Sequence, residues 1–276
     1  MSKRSKLMEA LCEIGSRDDA NIDLAEAALV LAALDRPDTD MAPYSDHLEA
    51  LAGDVKAAVD PSSSAGMQIA ALRKVLAGDY GYDGDADTYE DMHNANLMHV
   101  IDRRKGLPVA LGILYLHGAQ ACGSHIFGLN FPSHFVLRIE ARGQRAIFDP
   151  FHGGKVMTPQ DLRQRLKDLQ GSSAEIAPSH YAAVGNRDIL IRLQNNIKLR
   201  AIRHGALERA IEVLHVMTLF APELTELWWE RAVLQYQLGN VGSAITTLEN
   251  YLARPGEDPE HAGIEDLLRK LRSQVN

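Results

Sequence analysis

Hydrophobic positions along this chain repeat first at the period of a helix, then at the period of a strand, then again at that of a helix. Leu24, Ala28, Leu31 and Ala32 recur at helical spacing after the capping candidates Asp19 and Asn21, and that helix stops before Pro37. A second helix is expected from Ser45, an N-cap residue type, to Val59, where Asp60-Pro61-Ser62-Ser63-Ser64 breaks it. A third covers Met67 to Leu76. From His93 to Leu116 the pattern is helical once more, interrupted at Gly106-Leu107-Pro108. Proline fits the first turn of a helix, where its missing N–H would have no partner. A buried helix is therefore expected from Pro108 to Ala121, ending at Gly123.

The period then changes. Ile126 to Phe131, His134 to Ala141 and Gln144 to Phe148 read as three strands, with Arg142-Gly143 as a tight hairpin turn. Alternation in the second strand puts His134, Val136 and Arg138 on one side and Phe135, Leu137 and Ile139 on the other. Thr158-Pro159-Gln160-Asp161 predicts a cap and first turn, opening a charged helix to Leu169. A Gly/Ser/Pro-bearing linker over 171–184 follows.

The C-terminal segment repeats itself. Gly205 and Gly239 lie 34 residues apart, as do Ala210 and Ala244, and Leu214 and Leu248. Each glycine falls between two helical segments, and Pro222 and Pro255 close the units. This is the tetratricopeptide (TPR) period, and small residues at these places let paired helices approach closely. Adjacent Trp228 and Trp229 cannot both face one core, so one of them is a candidate for an exposed interface.

Charge and composition narrow the function classes. A net charge of −8 opposes a nucleic-acid binder, and Arg103-Arg104-Lys105 is too small a basic run to reverse that. The longest apolar run, Leu107 to Leu116, is half the length of a membrane helix. Met1 to Lys6 leads into a segment carrying Glu9 and Glu13, so no secretory leader is expected. Two cysteines, Cys12 and Cys122, supply neither a disulfide framework nor a four-cysteine zinc site, and a cytoplasmic location is the expectation.

The acidic run Asp79 to Asp91 places Asp83, Asp85 and Asp87 at positions 1, 3 and 5 of an EF-hand loop. Thr88 stands where that loop needs glycine and Asn94 where it needs glutamate, so calcium is not expected there. Six of the eleven histidines fall between 93 and 152, and His134 and Asp149 could form a general-base dyad or part of a metal site with His152, but no paired-histidine zinc signature accompanies them, and neither metal nor cofactor is expected.

Three stretches carry a resemblance: Asn96-Leu97-Met98-His99-Val100-Ile101-Asp102-Arg103-Arg104-Lys105-Gly106-Leu107-Pro108, then Phe131-Pro132-Ser133-His134-Phe135, then Phe148-Asp149-Pro150-Phe151-His152-Gly153-Gly154. In this order, with helices before and the repeat after, the chain resembles the bacterial SirB-type proteins, which combine a transglutaminase-like core with a C-terminal TPR tail. The resemblance implies an α+β fold: a helical region over 1–78, a papain/transglutaminase-like core with a small antiparallel sheet over 79–170, the linker, and TPR-like helical hairpins over 185–276. It further implies a cysteine opening the central helix, a histidine on the next strand and an aspartate on the strand after. In that scheme the helix N-terminus lowers the thiol pKa, the imidazole takes its proton and the carboxylate orients the imidazole. His134 and Asp149 match the histidine and the aspartate, whereas Pro108 occupies the cysteine position. Cys122, at the far end of the same helix, sits where the dipole disfavours a thiolate.

The reading that follows is a non-catalytic module binding a protein or peptide partner, with neither nucleic acid nor membrane as its target. Phe151, His152 and Gly153 beside the cleft are its candidate binding residues, together with Arg103 and Arg104, which could alternatively neutralise Asp102. The competing reading is a hydrolase or transferase of altered mechanism that uses the retained His134–Asp149 pair.

Overall fold

The computed structural model describes residues 2–132, 134–254 and 261–273. Two compact units emerge: one spans Asp18–Leu193, and the other joins the N-terminal residues up to Arg17 with the described residues from Gln194 onward. The α+β class holds, with helices outnumbering strands. Among the described residues no helix is long and apolar enough to cross a membrane.

In the larger unit, α2 (Leu24–Asp35) is buried almost all round, from Leu24 to Leu34 with only Glu26 outside the core. Its cap is Asp23, whose carboxylate accepts from the Glu26 N–H, and not Asp19 or Asn21. Asp19 instead caps a distant helix, accepting from the backbone N–H groups of Asn186 and Arg187 at 2.9 and 2.7 Å. Helix α3 (Ala42–Ala58) starts earlier than Ser45, because Pro43 already fits its first turn. Helix α4 (Ala65–Arg73), capped by Ser64, runs into a π-helical turn over Lys74–Asp79.

Two short parallel strands, β1 (Asp83–Gly84) and β2 (Lys105–Gly106), flank α5 (Leu97–Arg103) and lead into α6 (Pro108–Ala121). Helix α6 begins and ends where the sequence predicts, with Pro108 in its first turn and Gly123 in the left-handed conformation just after it. Nearly every residue on it is buried. A Cβ on Gly112 would stand 2.5 Å from the Phe135 ring and one on Gly118 2.9 Å from Val55, so glycine is what lets the helix approach on both sides.

The sheet orders β3 (His125–Gly128), β4 (Leu137–Ala141), β5 (Gln144–Asp149) and β6 (Lys155–Met157), antiparallel throughout. Arg142 and Gly143 both take positive φ, as a two-residue hairpin turn requires. Phe135 packs toward α6, while Val136 joins Leu129, Phe131, Leu162 and Leu166 on the other face. Leu162 and Leu166 belong to α7 (Pro159–Gln170), which opens on a capping box between Thr158 and Asp161. The predicted second strand is shorter than expected. Ladder pairing starts at Leu137, so His134 lies in the connection ahead of β4 and not on it; Ser133 lies outside the described residues. Part of the expected linker is also built into the sheet, since Asn130 donates to the Ala182 carbonyl and Val184 donates to that of Gly128.

In the smaller unit, α1 (Lys3–Ser16) packs on α9 (Leu207–Phe220) through Leu7, Leu11 and Ile14. At this contact a Cβ on Gly15 would meet the Leu219 carbonyl oxygen at 2.3 Å. The remaining helices are α8 (Asn186–Arg203), within which the boundary between the units falls, α10 (Thr225–Gln237), α11 (Val241–Leu252) and α12 (His261–Arg272). Gly205 and Gly239 both take positive φ, and the next residues close matching bonds to the carbonyls of Ala201 and Gln235 at 2.9 Å. Ala210, Ala244, Leu214 and Leu248 are fully buried, as the repeat predicts. Pro255 lies outside the described residues. Trp228 is buried and Trp229 is 41% exposed.

Candidate functional site

Three short stretches of backbone converge at one end of the sheet. The connection before β4 supplies His134, the last residue of β5 is Asp149, and the 3₁₀ turn Pro150–His152 follows directly. Pro150 fixes the start of that turn, and Gly153 and Gly154 leave it with φ of 56° and 74°, values an L side chain rarely takes.

Asp149 organises the group. Its Oδ1 accepts from the Phe151 N–H at 2.9 Å, which fixes the carboxylate plane. Its Oδ2 then faces two imidazoles, with His152 Nδ1 at 2.7 Å and His134 Nε2 at 2.8 Å. The His134 contact is close but poorly aligned, so Nε2 lacks a properly directed hydrogen-bond partner. Arg165, from α7, reaches the same place: its guanidinium lies 3.6 Å from Asp149 Oδ2 and 3.3 Å from His134 Nδ1. His134 and Asp149 are buried, with side chains 5% and 3% exposed, whereas the His152 side chain is 50% exposed.

The charge state follows from these neighbours. Burial pushes the Asp149 pKa up, but its contacts with His134 and His152 outweigh this and hold it below the ordinary carboxylate value. Burial lowers the His134 pKa more than Asp149 raises it, with Arg165 and His152 lowering it further. The pair is a carboxylate beside a neutral imidazole. His134, Asp149 and His152 each present a ligand-capable atom, all within 4.8 Å of one another, a two-histidine, one-carboxylate cluster.

One side of the cluster is closed and the other open. The Phe151 ring meets His134 edge-on at 6.3 Å and Tyr89 at 5.7 Å, and it lies so close to Gly84 that a Cβ there would touch it. On the other side a cleft of about 390 Å³ has Asp149, His152, Lys155, Asp161, Arg165 and Leu169 among its lining residues.

Of the expected binding residues, His152 forms part of the cleft wall, Phe151 is a buried plug, and the Gly153 carbonyl accepts from Arg73 Nε at 3.0 Å. The two arginines engage other partners. Arg103 pairs with Asp85 at 2.6 Å and donates to Asn94 at 3.0 Å. Arg104, in the left-handed conformation, binds the Tyr82 hydroxyl and His47 and lies over the Tyr82 ring at 4.9 Å. Neither neutralises Asp102, which pairs with Arg36 at 2.6 Å and accepts from the Tyr44 hydroxyl. Arg165 and Lys155 carried no signal in the sequence, since their place in the cleft depends on how α7 and β6 lie against the sheet.

Neither cysteine lies in the cleft wall. Cys122 caps the C-terminal end of α6, its thiol on the Ala119 carbonyl at 3.1 Å, and Cys12 is on α1.

Comparison with known proteins matches residues 42–195 to the transglutaminase-like superfamily and 197–276 to a tetratricopeptide repeat. A UPF0162 protein of Xylella fastidiosa is 27% identical over 241 residues, covering 85% of each chain. A UPF0162 protein of Pseudomonas aeruginosa is 30% identical over 63% of each chain. Protein SirB1 of Salmonella typhimurium is 23% identical over 93% of each chain.

Proposed function

This chain belongs to the transglutaminase-like superfamily, and we propose that it serves there as a non-catalytic module binding a protein or peptide partner. The observation that carries this reading is the start of α6. A thiol nucleophile there would gain from the helix dipole, yet the residues present are Leu107 and Pro108, neither of which has a nucleophilic atom. The two thiols of the chain are on α1 and at the opposite end of α6, where a thiolate is disfavoured. His134 is buried beside Phe151, and among the described residues no thiol lies next to it. Its contact with Asp149 then serves to hold the entry of β4 against the end of β5.

Binding falls to the surfaces that remain open: the cleft beside His152 and the repeat unit, a type of architecture that commonly presents a binding surface. The test is affinity capture from cell extract with the wild-type chain, a His152→Ala variant and a Cys12→Ser/Cys122→Ser double variant, read by mass spectrometry. A partner retained by the wild type and the double variant but lost by His152→Ala supports binding in the cleft without thiol chemistry. Covalent trapping of a substrate fragment on either cysteine would overturn the reading in favour of a thiol nucleophile, and turnover that survives in the double cysteine variant would overturn it in favour of a hydrolase or transferase using the His134–Asp149 pair.

A further inference from the structure

We propose that His134, Asp149 and His152 form a binding site for one first-row divalent cation of the zinc type, with Arg165 occupying the place of that charge when the cation is absent. The inference goes beyond the binding module proposed above and does not depend on it. Imidazole nitrogens with a carboxylate are the donor set such ions take, and three protein ligands leave coordination positions free.

Four observations support it. His134 comes from the connection before β4, Asp149 and His152 from one turn at the end of β5, and the three donor atoms fall within 4.8 Å of one another. His134 Nε2, on a side chain only 5% exposed, faces this cluster without a well-directed hydrogen-bond partner. A buried polar atom left in that state needs an explanation, and the capacity to ligate a cation is one. Asp149 is pre-oriented by the Phe151 N–H on Oδ1, which leaves Oδ2 for the cluster, as outer-shell partners of metal ligands do. The cleft that opens at His152 and Asp149 gives an entry path.

Arg165 supplies the sharpest consequence. A guanidinium can only donate, so at 3.3 Å from His134 Nδ1 it favours the tautomer with the proton on Nε2. Metal ligation through Nε2 needs the other tautomer, whose Nδ1–H would point at Arg165. The arginine must therefore leave as the cation enters, and its charge 3.6 Å from Oδ2 competes directly with the ion. Its side chain is one-third exposed and stands at the cleft, so it has solvent to move into. Ligand atoms on a tetrahedral zinc lie roughly 3.3 Å apart. The 2.7 and 2.8 Å contacts would therefore widen on loading, and half-exposed His152 is free to make that adjustment.

The experiment is Co(II) and Zn(II) titration of the full chain, purified without a histidine tag, followed by calorimetry and by the visible absorption of bound Co(II). The expected result is one saturable site, weakened at least about tenfold by His152→Ala and tightened about tenfold by Arg165→Gln, the gain expected from removing a competing charge at this range. Far-ultraviolet circular dichroism confirms that each variant is folded. No saturable site in the wild type, or a site that His152→Ala leaves unchanged, overturns the proposal. An Arg165→Gln variant that binds no more tightly than wild type removes the role given to the arginine.

Discussion

Arg103 and Asp85 are each other's partners: a guanidinium nitrogen lies 2.6 Å from the Asp85 carboxylate, which is itself buried and also accepts from the Thr88 hydroxyl and N–H. In the sequence these residues belong to two separate stories, an acidic loop and a basic run. In the fold they close the loop between β1 and α5 onto the end of α5.

Removing that carboxylate should therefore cost stability. Asp85→Ala leaves the Thr88 hydroxyl without its acceptor and the Arg103 guanidinium with only the more distant Asp91 carboxylate at 3.8 Å, and because Arg103 is partly exposed the expected loss is about 1–3 kcal/mol, below the figure for a fully buried pair. Urea denaturation checks it. Burial pushes the Asp85 pKa up, but the bonds from Thr88 and Arg103 prevail and bring it to about 2. A depressed carboxylate pKa contributes stability above its unfolded value, and that contribution is lost as pH falls toward about 2. The gap between wild type and Asp85→Ala should shrink over that acid range.

Asp19 makes a long-range cap. Both its carboxylate oxygens accept from the first N–H groups of α8, so Asp19→Ala should destabilise the fold by about 1 kcal/mol, the usual value of such a cap. Asp19→Asn keeps an acceptor and should recover part of it. An unchanged urea midpoint in Asp19→Ala would show that water replaces the cap at no cost.

Gly112 holds α6 against the sheet. Its substitution by alanine places a methyl 2.5 Å from the Phe135 ring, one residue from His134. Overpacking of this kind costs about 1–3 kcal/mol, and the variant's melting temperature should fall accordingly. Gly123→Ala, which meets no neighbour but must hold a φ of 77°, tests backbone strain alone and should cost less.

His215 is an acid-sensitive point in the smaller unit. Burial, then the charge of Arg231, then that of Arg4 push its pKa down to about 4. Between its ordinary value and about 4, the unfolded chain binds the proton and the folded one does not, so stability falls as pH drops through that window. His215→Gln should flatten that part of the stability–pH profile while leaving the profile above neutrality unchanged. Identical slopes for the two proteins would refute the assignment.

Much of this architecture was legible in the residues. The central helix was readable to the residue because Pro108 and Gly123 act locally, through a missing N–H and a permitted positive φ. The Arg142-Gly143 turn, the Thr158 cap and the 34-residue repeat were readable for the same reason. Caps were less secure: Asp19 has the right chemistry, but its partner lies far along the chain, and sequence alone shows only the nearby helix.

The sequence by itself determined periodicity and punctuation, since each depends on neighbours a few residues away, and it pointed to Pro108, His134 and Asp149 only through the resemblance their motifs carry. The tertiary structure alone decided which charges meet. It buried His134 beside Phe151, turned half-exposed His152 onto the Asp149 carboxylate oxygen that His134 faces, and brought Arg165 from α7 to His134 and Asp149. Contacts of this kind depend on where α7 and the ends of the strands come together, and no spacing along the chain encodes that directly.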